Sequence, residues 1–415
     1  MTDLEKLARD AEEELKAQFD VLEEISFANT KKVLDAFAEF RVSEAHFAPS
    51  TGYGYNDRGR EVIDGIYAKV FGAESAIVRH QIVNGTQALA IGLYGLLRPG
   101  DTLLSVAGKP YDTLEEVIGI AGNPGDGSLK DFGVSYDQVD LKDGKLDFEK
   151  IAEKLNDRVK VVFVQRSKGY LDRPTLSVEQ IGELVSFIKA RSAAYVMVDN
   201  CYGEFAETRE PPEVGADLCV GSLIKNPGGG MAECGGYLCG TARAVELCSY
   251  RLTTVGTGGE VGATVGQNKN ILKGLFYAPH TVKEAQKTAL LAAKIFEKLG
   301  FSAEPSSDSP RYDIIESLKF GDPELLCAFC RGIQAASPVD SYVTPVPWAM
   351  PGYQDEVIMA AGTFTSGSSI ELSADGPLRP PYIAYFQGGL TYESGKLGIL
   401  SAAKEVLKEL EKREA

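Results

Sequence analysis

The stretch that decides the fold is Val196-Met197-Val198-Asp199-Asn200-Cys201-Tyr202-Gly203-Glu204-Phe205 together with Gly221-Ser222-Leu223-Ile224-Lys225-Asn226-Pro227-Gly228-Gly229-Gly230. The apolar run Ala193–Val198 closes on Asp199, and 26 positions later Lys225 stands in a turn of small residues. The first run reads as a buried strand with a carboxylate at its end. The second reads as a strand near Leu218-Cys219-Val220 that delivers a lysine into a tight loop. A lysine amine condenses with an aldehyde to a Schiff base, and a carboxylate keeps a pyridine nitrogen protonated. The pair therefore suits pyridoxal 5'-phosphate (PLP), with Lys225 as covalent anchor and Asp199 as ring partner. A surface lysine beside a strand-end aspartate is the competing reading, and the rest of the chain decides between them.

The chain has 415 residues, 44% of them hydrophobic, enough for two packed cores. Its 59 acidic residues against 43 basic ones give a formal charge of −16. That disfavours nucleic acid and anionic membrane as partners and leaves a small molecule as the expected ligand. The opening Met1-Thr2-Asp3-Leu4-Glu5-Lys6 has no apolar signal core, and no run has the length of a bilayer span, so a soluble cytoplasmic protein is expected. Seven cysteines, an odd number, argue against a disulfide framework. Cys327 and Cys330 form a single CxxC without a second pair, which reads as two half-buried thiols on a helix, with no metal.

Residues 2 to about 42 carry apolar positions at helical spacing and predict two helices, within an arm over residues 1–50. From 51 to 275, short apolar strands alternate with amphipathic helices, among them a helix over Val178–Arg191, which predicts a mostly parallel sheet covered by helices. A smaller α/β domain is expected over 276–415. It begins with a helix over Thr281–Leu299 and ends with one over Ser401–Lys412. The Pro-rich Val343-Thr344-Pro345-Val346-Pro347-Trp348 reads as a loop that faces a site.

Further site pieces lie along this order. Asn84-Gly85-Thr86-Gln87 opens an apolar helix after a strand, where free N–H groups, Gly85 and the Thr86 hydroxyl suit a phosphate, or make an ordinary N-cap. Tyr111, after the next strand, suits stacking on a pyridine ring, or is a half-buried loop tyrosine. Ser222 lies three residues before Lys225, where its hydroxyl meets the same phosphate. Tyr55 and Arg58, in the early loop Thr51–Arg60, are good phosphate ligands and would reach one across a dimer interface. Arg379, ahead of the apolar run Tyr382–Phe386, suits a two-pronged clamp on an amino-acid carboxylate, or a structural ion pair. Phosphate-loop, nucleophile-elbow and dinucleotide motifs do not occur.

With these residues in place, the chain resembles PLP-dependent enzymes of fold type I, the aspartate aminotransferase-like fold. Within them it is similar to the cystathionine and methionine γ-lyase group, and more narrowly to its bacterial branch named aluminium resistance or methionine γ-lyase family protein. The strings that carry the likeness are Thr51–Arg60, Val198–Phe205, Ser222–Gly230 and Ser373-Ala374-Asp375-Gly376-Pro377, and it runs from about residue 20 to 410. The resemblance implies Lys225 as Schiff-base lysine, Asp199 as pyridinium partner and Tyr111 as the stacking ring. It implies phosphate contacts from Gly85, Thr86 and Ser222, with Tyr55 and Arg58 coming from a neighbouring subunit and Tyr55 also near the substrate. Arg379 would be the carboxylate ligand, and the assembly a homotetramer of two dimers with shared active sites.

The chain departs from the group at two places: Ile224 stands where a hydroxyl residue precedes the lysine, and Asp112-Thr113 follow Tyr111 where γ-lyases carry a cysteine. The expected activity is carbon–sulfur bond cleavage in methionine, homocysteine, cystathionine or cysteine, by β- or γ-elimination. Burial and a cationic cofactor are expected to lower the Lys225 pKa so that its amine serves as base. The alternatives are an aminotransferase, an aldolase, or a non-catalytic metal-stress protein.

Overall fold

A computed structural model describes residues 3–414. Met1 and Thr2, where the first predicted helix begins, lie outside the described residues, as does Ala415.

Seven strands form the larger sheet: β1 (Ser75–Arg79), β2 (Thr102–Ser105), β3 (Ser135–Gln138), β4 (Val159–Gln165), β5 (Tyr195–Asp199), β6 (Leu218–Ser222) and β7 (Gly236–Gly240). Their order is β1-β7-β6-β5-β4-β2-β3, with β7 antiparallel to both its neighbours and the other pairs parallel. The Val-rich β4 and β5 are buried along nearly their whole length, as befits strands covered on both faces. Five strands form the second sheet: β8 (Ser302–Glu304), β9 (Glu316–Lys319), β10 (Val357–Ala360), β11 (Ser373–Pro377) and β12 (Ile383–Gln387). They are antiparallel throughout, in the order β10-β11-β12-β9-β8.

The helices are α1 (Asp3–Glu14), α2 (Lys16–Glu39), α3 (Arg58–Phe71), α4 (Gly85–Leu96), α5 (Asp112–Ile118), α6 (Phe148–Lys154), α7 (Val178–Lys189), α8 (Ala242–Leu252), α9 (Asn268–Lys298), α10 (Pro323–Ala335) and α11 (Tyr392–Glu414). Two start earlier than their sequence suggests. The predicted Thr281–Leu299 helix begins at Asn268, with Pro279 inside it. Packing on both cores outweighs the hydrogen bond that Pro279 forfeits, and its carbonyl accepts from Ser26 Oγ at 3.1 Å. The predicted Ser401–Lys412 helix begins at Tyr392, where Thr391 Oγ1 receives the Ser394 N–H at 3.2 Å. Cys327 and Cys330 are fully buried in the core beneath the second sheet, rather than half-buried, because both lie on the inner face of α10.

The loop after β5 is shaped by a buried cation. Arg166, which follows β4 and has no exposed surface, donates through Nη1 to Asn200 Oδ1 and to the Gly203 carbonyl, both at 2.8 Å. Its Nη2 pairs with Glu207 at 2.5 Å and its Nε donates to the Leu176 carbonyl at 3.2 Å. Beyond it the buried Glu204 receives the Tyr237 hydroxyl at 2.7 Å, and Asn226 Nδ2 donates to the Glu204 and Tyr202 carbonyls at 2.9 and 2.8 Å. The loops after β5 and β6 are thus tied to one another.

Removing the cation leaves the buried Glu210 and the half-buried Glu207 without their counter-charge. Arg166→Ala should therefore lower the unfolding free energy by about 3–5 kcal/mol in urea titrations; a loss well under 1 kcal/mol would show that the loop holds itself. Burial raises Glu204 to about 8, against the pull of its Tyr237 bond. An acid raised on folding holds its proton more tightly in the folded chain. Its stabilising effect is therefore complete at low pH and falls as pH climbs from the ordinary glutamate range through about 8. Melting temperatures of Glu204→Gln should accordingly decline less than those of the parent between about pH 5 and pH 8.

Candidate active site

The carboxyl ends of parallel strands are where α/β sheets bind ligands. Here β4, β5 and β6 end together at Gln165, Asp199 and Ser222, with Gln165 and Asp199 in register. A cavity of about 250 Å³ opens at this edge, between the larger sheet and the second one. Lys225, Asp199, Ser222, Tyr111, Gly85 and Thr86 all line it. Six of the residues singled out in the sequence therefore converge.

The Lys225 amine lies over the Tyr202 ring, 4.1 Å from its centroid, and donates no hydrogen bond to the described residues. Burial pulls its pKa down, but Cys201, Tyr202, Asp199 and Glu204 push the other way and win, so the net shift is upward. In the chain alone the acids around Lys225 thus favour its ammonium; the expected lowering rests on a cationic cofactor as well as on burial. Burial pushes Asp199 up, opposed by Lys225 and by the Cys201 backbone N–H, which donates to Asp199 Oδ1 at 3.1 Å.

At the start of α4, Asn84 caps the helix by accepting the Gln87 N–H at 2.8 Å, which leaves the first-turn N–H groups of Gly85 and Thr86 at the cavity. A Cβ on Gly85 would stand 3.5 Å from both Ser222 Cβ and Cys201 Sγ, so its absence keeps the floor between them open. Ser222 Oγ is buried with no partner. The Thr86 hydroxyl is engaged with that of Thr113 at 2.7 Å. A helix N-terminus, an orphaned hydroxyl and an unfilled cradle fit a phosphate. Asp199 and Lys225, on one cavity, fit the ring and aldehyde of PLP.

Three expected site residues lie elsewhere. Arg379 does not line the cavity: it follows β11 on an outward turn and pairs through Nη1 with Asp355 at 2.8 Å, both partly exposed. Of the two readings offered for Arg379, the structure shows the ion pair. Tyr55 is 60% exposed and stacks on Tyr53, and Arg58 is exposed at the start of α3. Arg60 fixes their loop by donating to the Gly54, Gly262 and Glu260 carbonyls at 2.7, 3.1 and 3.0 Å. Neither Tyr55 nor Arg58 lines the cavity of its own chain.

Other residues enter, of which only Asp375 lay in a string singled out in the sequence. Gln165 presents an unpartnered Oε1. Tyr353, just beyond the Pro-rich loop, holds its hydroxyl 2.9 Å from that of Tyr111. Ser368, Ser369, Asp375 and Gln387 come from the second sheet and its approach. Ser368 Oγ donates to the Ile224 carbonyl at 2.9 Å, so a hydroxyl stands beside the lysine segment although Ile224 supplies none. Cys201 and Tyr202 line the cavity too, and their place directly after Asp199 was the signal available for them.

Comparison with known proteins agrees with this geometry. The family model of methionine gamma-lyase matches residues 4–407. The uncharacterized protein YnbB of Bacillus subtilis (strain 168) is 52% identical over 406 residues, covering 97% of this chain and 96% of that protein. A crystal structure named as a carbon-sulfur lyase involved in aluminum resistance, from Clostridium novyi NT, is 52% identical, with a TM-score of 0.93 over 96% of this chain and 95% of that one. The methionine gamma lyase CalE6 from Micromonospora echinospora shares the fold at a TM-score of 0.57 and 17% identity, over 87% and 93% of the two chains. By cavity, sequence and fold, the chain belongs to the methionine gamma-lyase family.

Proposed function

We propose that the chain is a cytoplasmic, PLP-dependent carbon–sulfur lyase. It cleaves a sulfur amino acid such as methionine, homocysteine, cystathionine or cysteine, by β- or γ-elimination, to a thiol, a 2-oxo acid and ammonia. The observation that carries the reading is the meeting of a buried lysine amine, a buried strand-end carboxylate and an orphaned serine hydroxyl on one cavity.

Bound PLP supplies an electron sink for the substrate α-carbon. Lys225 would hold it through the aldehyde carbon, Asp199 at the ring nitrogen, and Tyr111 against the ring. Gly85, Thr86 and Ser222 would take the phosphate, joined by Tyr55 and Arg58 of a neighbouring subunit in a homotetramer of two dimers. What supports the shared site is that both side chains are exposed, outside their own cavity, on a loop that Arg60 holds in place.

The chain's own groups manage the protons. Beside the cationic cofactor, Lys225 Nζ would be a free amine and take the α-proton. The departing sulfur takes a proton from Lys225 Nζ or from the Tyr111 hydroxyl. The Tyr353 hydroxyl, 2.9 Å away, keeps the Tyr111 oxygen in place. Burial raises Tyr111 well above the ordinary tyrosine value, and Tyr353 adds to it, so it stays a protonated donor at neutral pH.

Borohydride reduction of the protein supplied with PLP, followed by peptide mass spectrometry, should find a phosphopyridoxyl adduct on Lys225. Lys225→Ala should lose both adduct and turnover, and steady-state activity retained in that variant would refute the assignment. Thiol release from sulfur amino acids tests the reaction itself. A requirement for a 2-oxo acid acceptor would point to an aminotransferase, and aldehyde release to an aldolase. Asp199→Asn should keep the cofactor yet lower kcat by about a hundredfold or more, as when an electrostatic partner of the reacting centre is lost.

A further inference from the structure

The Tyr111 hydroxyl has one hydrogen-bond partner among the described residues, the Tyr353 hydroxyl at 2.9 Å. The two tyrosines differ in their surroundings. Tyr111 is pinned from behind by the Tyr170 ring, 5.6 Å between centroids, and by Gly169, where a Cβ would come within 2.9 Å of Tyr111 Cδ2. Tyr353 stands on the loop just beyond the Pro-rich segment, between the exposed Gly352 and Gln354. It lines the cavity that holds Lys225, and it also lines a second cavity of about 80 Å³ with Asp112, Glu115, Glu116 and Gln354. That crevice has polar walls and room for water.

A proton given by Tyr111 to a departing sulfur leaves negative charge on the Tyr111 oxygen. Burial opposes charge there, and so do Tyr353, Asp375 and Tyr202. At Tyr353, burial, Asp375 and Tyr202 oppose it too, but the Tyr111 hydrogen bond and the charge of Lys225 favour it. The charge is therefore better borne by Tyr353. A hydroxyl can donate and accept at once, so the pair can pass a proton along its hydrogen bond.

We infer that Tyr353 and Tyr111 form a two-tyrosine relay that carries a proton from the polar crevice to the departing sulfur. As the carbon–sulfur bond breaks, its electron pair leaves with sulfur, the Tyr111 O–H bond breaks and an S–H bond forms. The Tyr353 O–H bond breaks in turn and restores that of Tyr111, whose hydroxyl then donates to the Tyr353 oxygen. Water in the crevice returns a proton to Tyr353. The proton that Lys225 took from the α-carbon passes to water, which closes the balance. The relay rests on the lyase reading above, and within it selects Tyr111 over Lys225 as the donor to sulfur.

The test uses the PLP-loaded enzyme with S-ethyl-L-cysteine and β-chloro-L-alanine, which yield the same 2-oxo acid. Ethanethiolate is a strong base and needs the proton, whereas chloride needs none. Tyr353→Phe, which keeps the ring, should lower kcat for the ethyl compound relative to the chloro compound by about tenfold or more, with little change in KM. Tyr111→Phe should show the same split. The double variant should lose no more than Tyr111→Phe alone, because both residues act on one path. Equal changes on the two substrates would give Tyr353 a structural role only, and additive losses would give the two hydroxyls separate roles; either overturns the relay.

If the parent releases 2-oxo acid from neither compound, the lyase reading fails and the relay with it. Release from the chloro compound alone overturns the relay and leaves elimination standing. The wet end of the relay is checked without turnover: tetranitromethane on the cofactor-free protein should nitrate Tyr353 ahead of Tyr111, read by peptide mass spectrometry. The reverse order would overturn the inference.

Discussion

The site depends on one buried guanidinium. Arg166 sits directly after Gln165, the last residue of β4, and reaches across to Asn200 and Gly203 in the loop that follows Asp199. A charge without access to water must be matched, and Glu207 and Glu210 match this one, at 2.5 and 4.0 Å. The matching has a geometric result. The chain turns sharply past Asp199, Tyr202 adopts a left-handed φ of 75°, and its ring comes to lie under the Lys225 amine. Strain of this kind persists only where the surroundings over-determine it, and here Asn226 closes the arrangement from the lysine's own loop.

The six residues that the sequence singled out and the cavity brings together share a physical reason. Asp199 and Ser222 end strands of the larger sheet, and Lys225, Gly85, Thr86 and Tyr111 lie in the segments just after such strands. An apolar strand pattern therefore puts each of them at the same edge. The failures share a cause too. Gln387, Ser368 and Tyr353 reach the cavity from the second sheet and its loops, and their arrival depends on how two sheets face each other, which no local pattern encodes. Arg379 shows the limit most plainly. Its place before an apolar strand is visible in the sequence, but not the direction of the turn that carries it toward Asp355. Pro279 misled in another way: as a helix breaker it hid the first turns of α9, whose apolar face is held by both cores.

Electrostatics separates the cavity into two regions. Around Lys225, the nearby acids keep the amine protonated despite burial. Around Asp375, burial raises the acid, and the Tyr170 and Gln387 bonds and the charge of Lys225 only partly oppose it. Two acids thus share one small space with a single lysine, Asp199 accepting a backbone N–H and Asp375 neutral side-chain donors.

The long helix α9 has a consequence for the molecule as a whole. Its first half, Ile271 to Ala285, is buried in the core of the larger sheet with Val33 and Ala36 of α2. Its second half, Leu291 to Phe296, is buried in the core of the second sheet with Ala8 and Ala11 of α1. Leu290 joins Leu15 and Leu22 at the junction of the two N-terminal helices. One rod is therefore common property of both cores, and no cut between them leaves either with all its packing. The halves cannot melt one after the other, since loss of the helix from one core strips the other. Heat or denaturant should take the chain apart in a single step, with the cavity edge lost together with everything else.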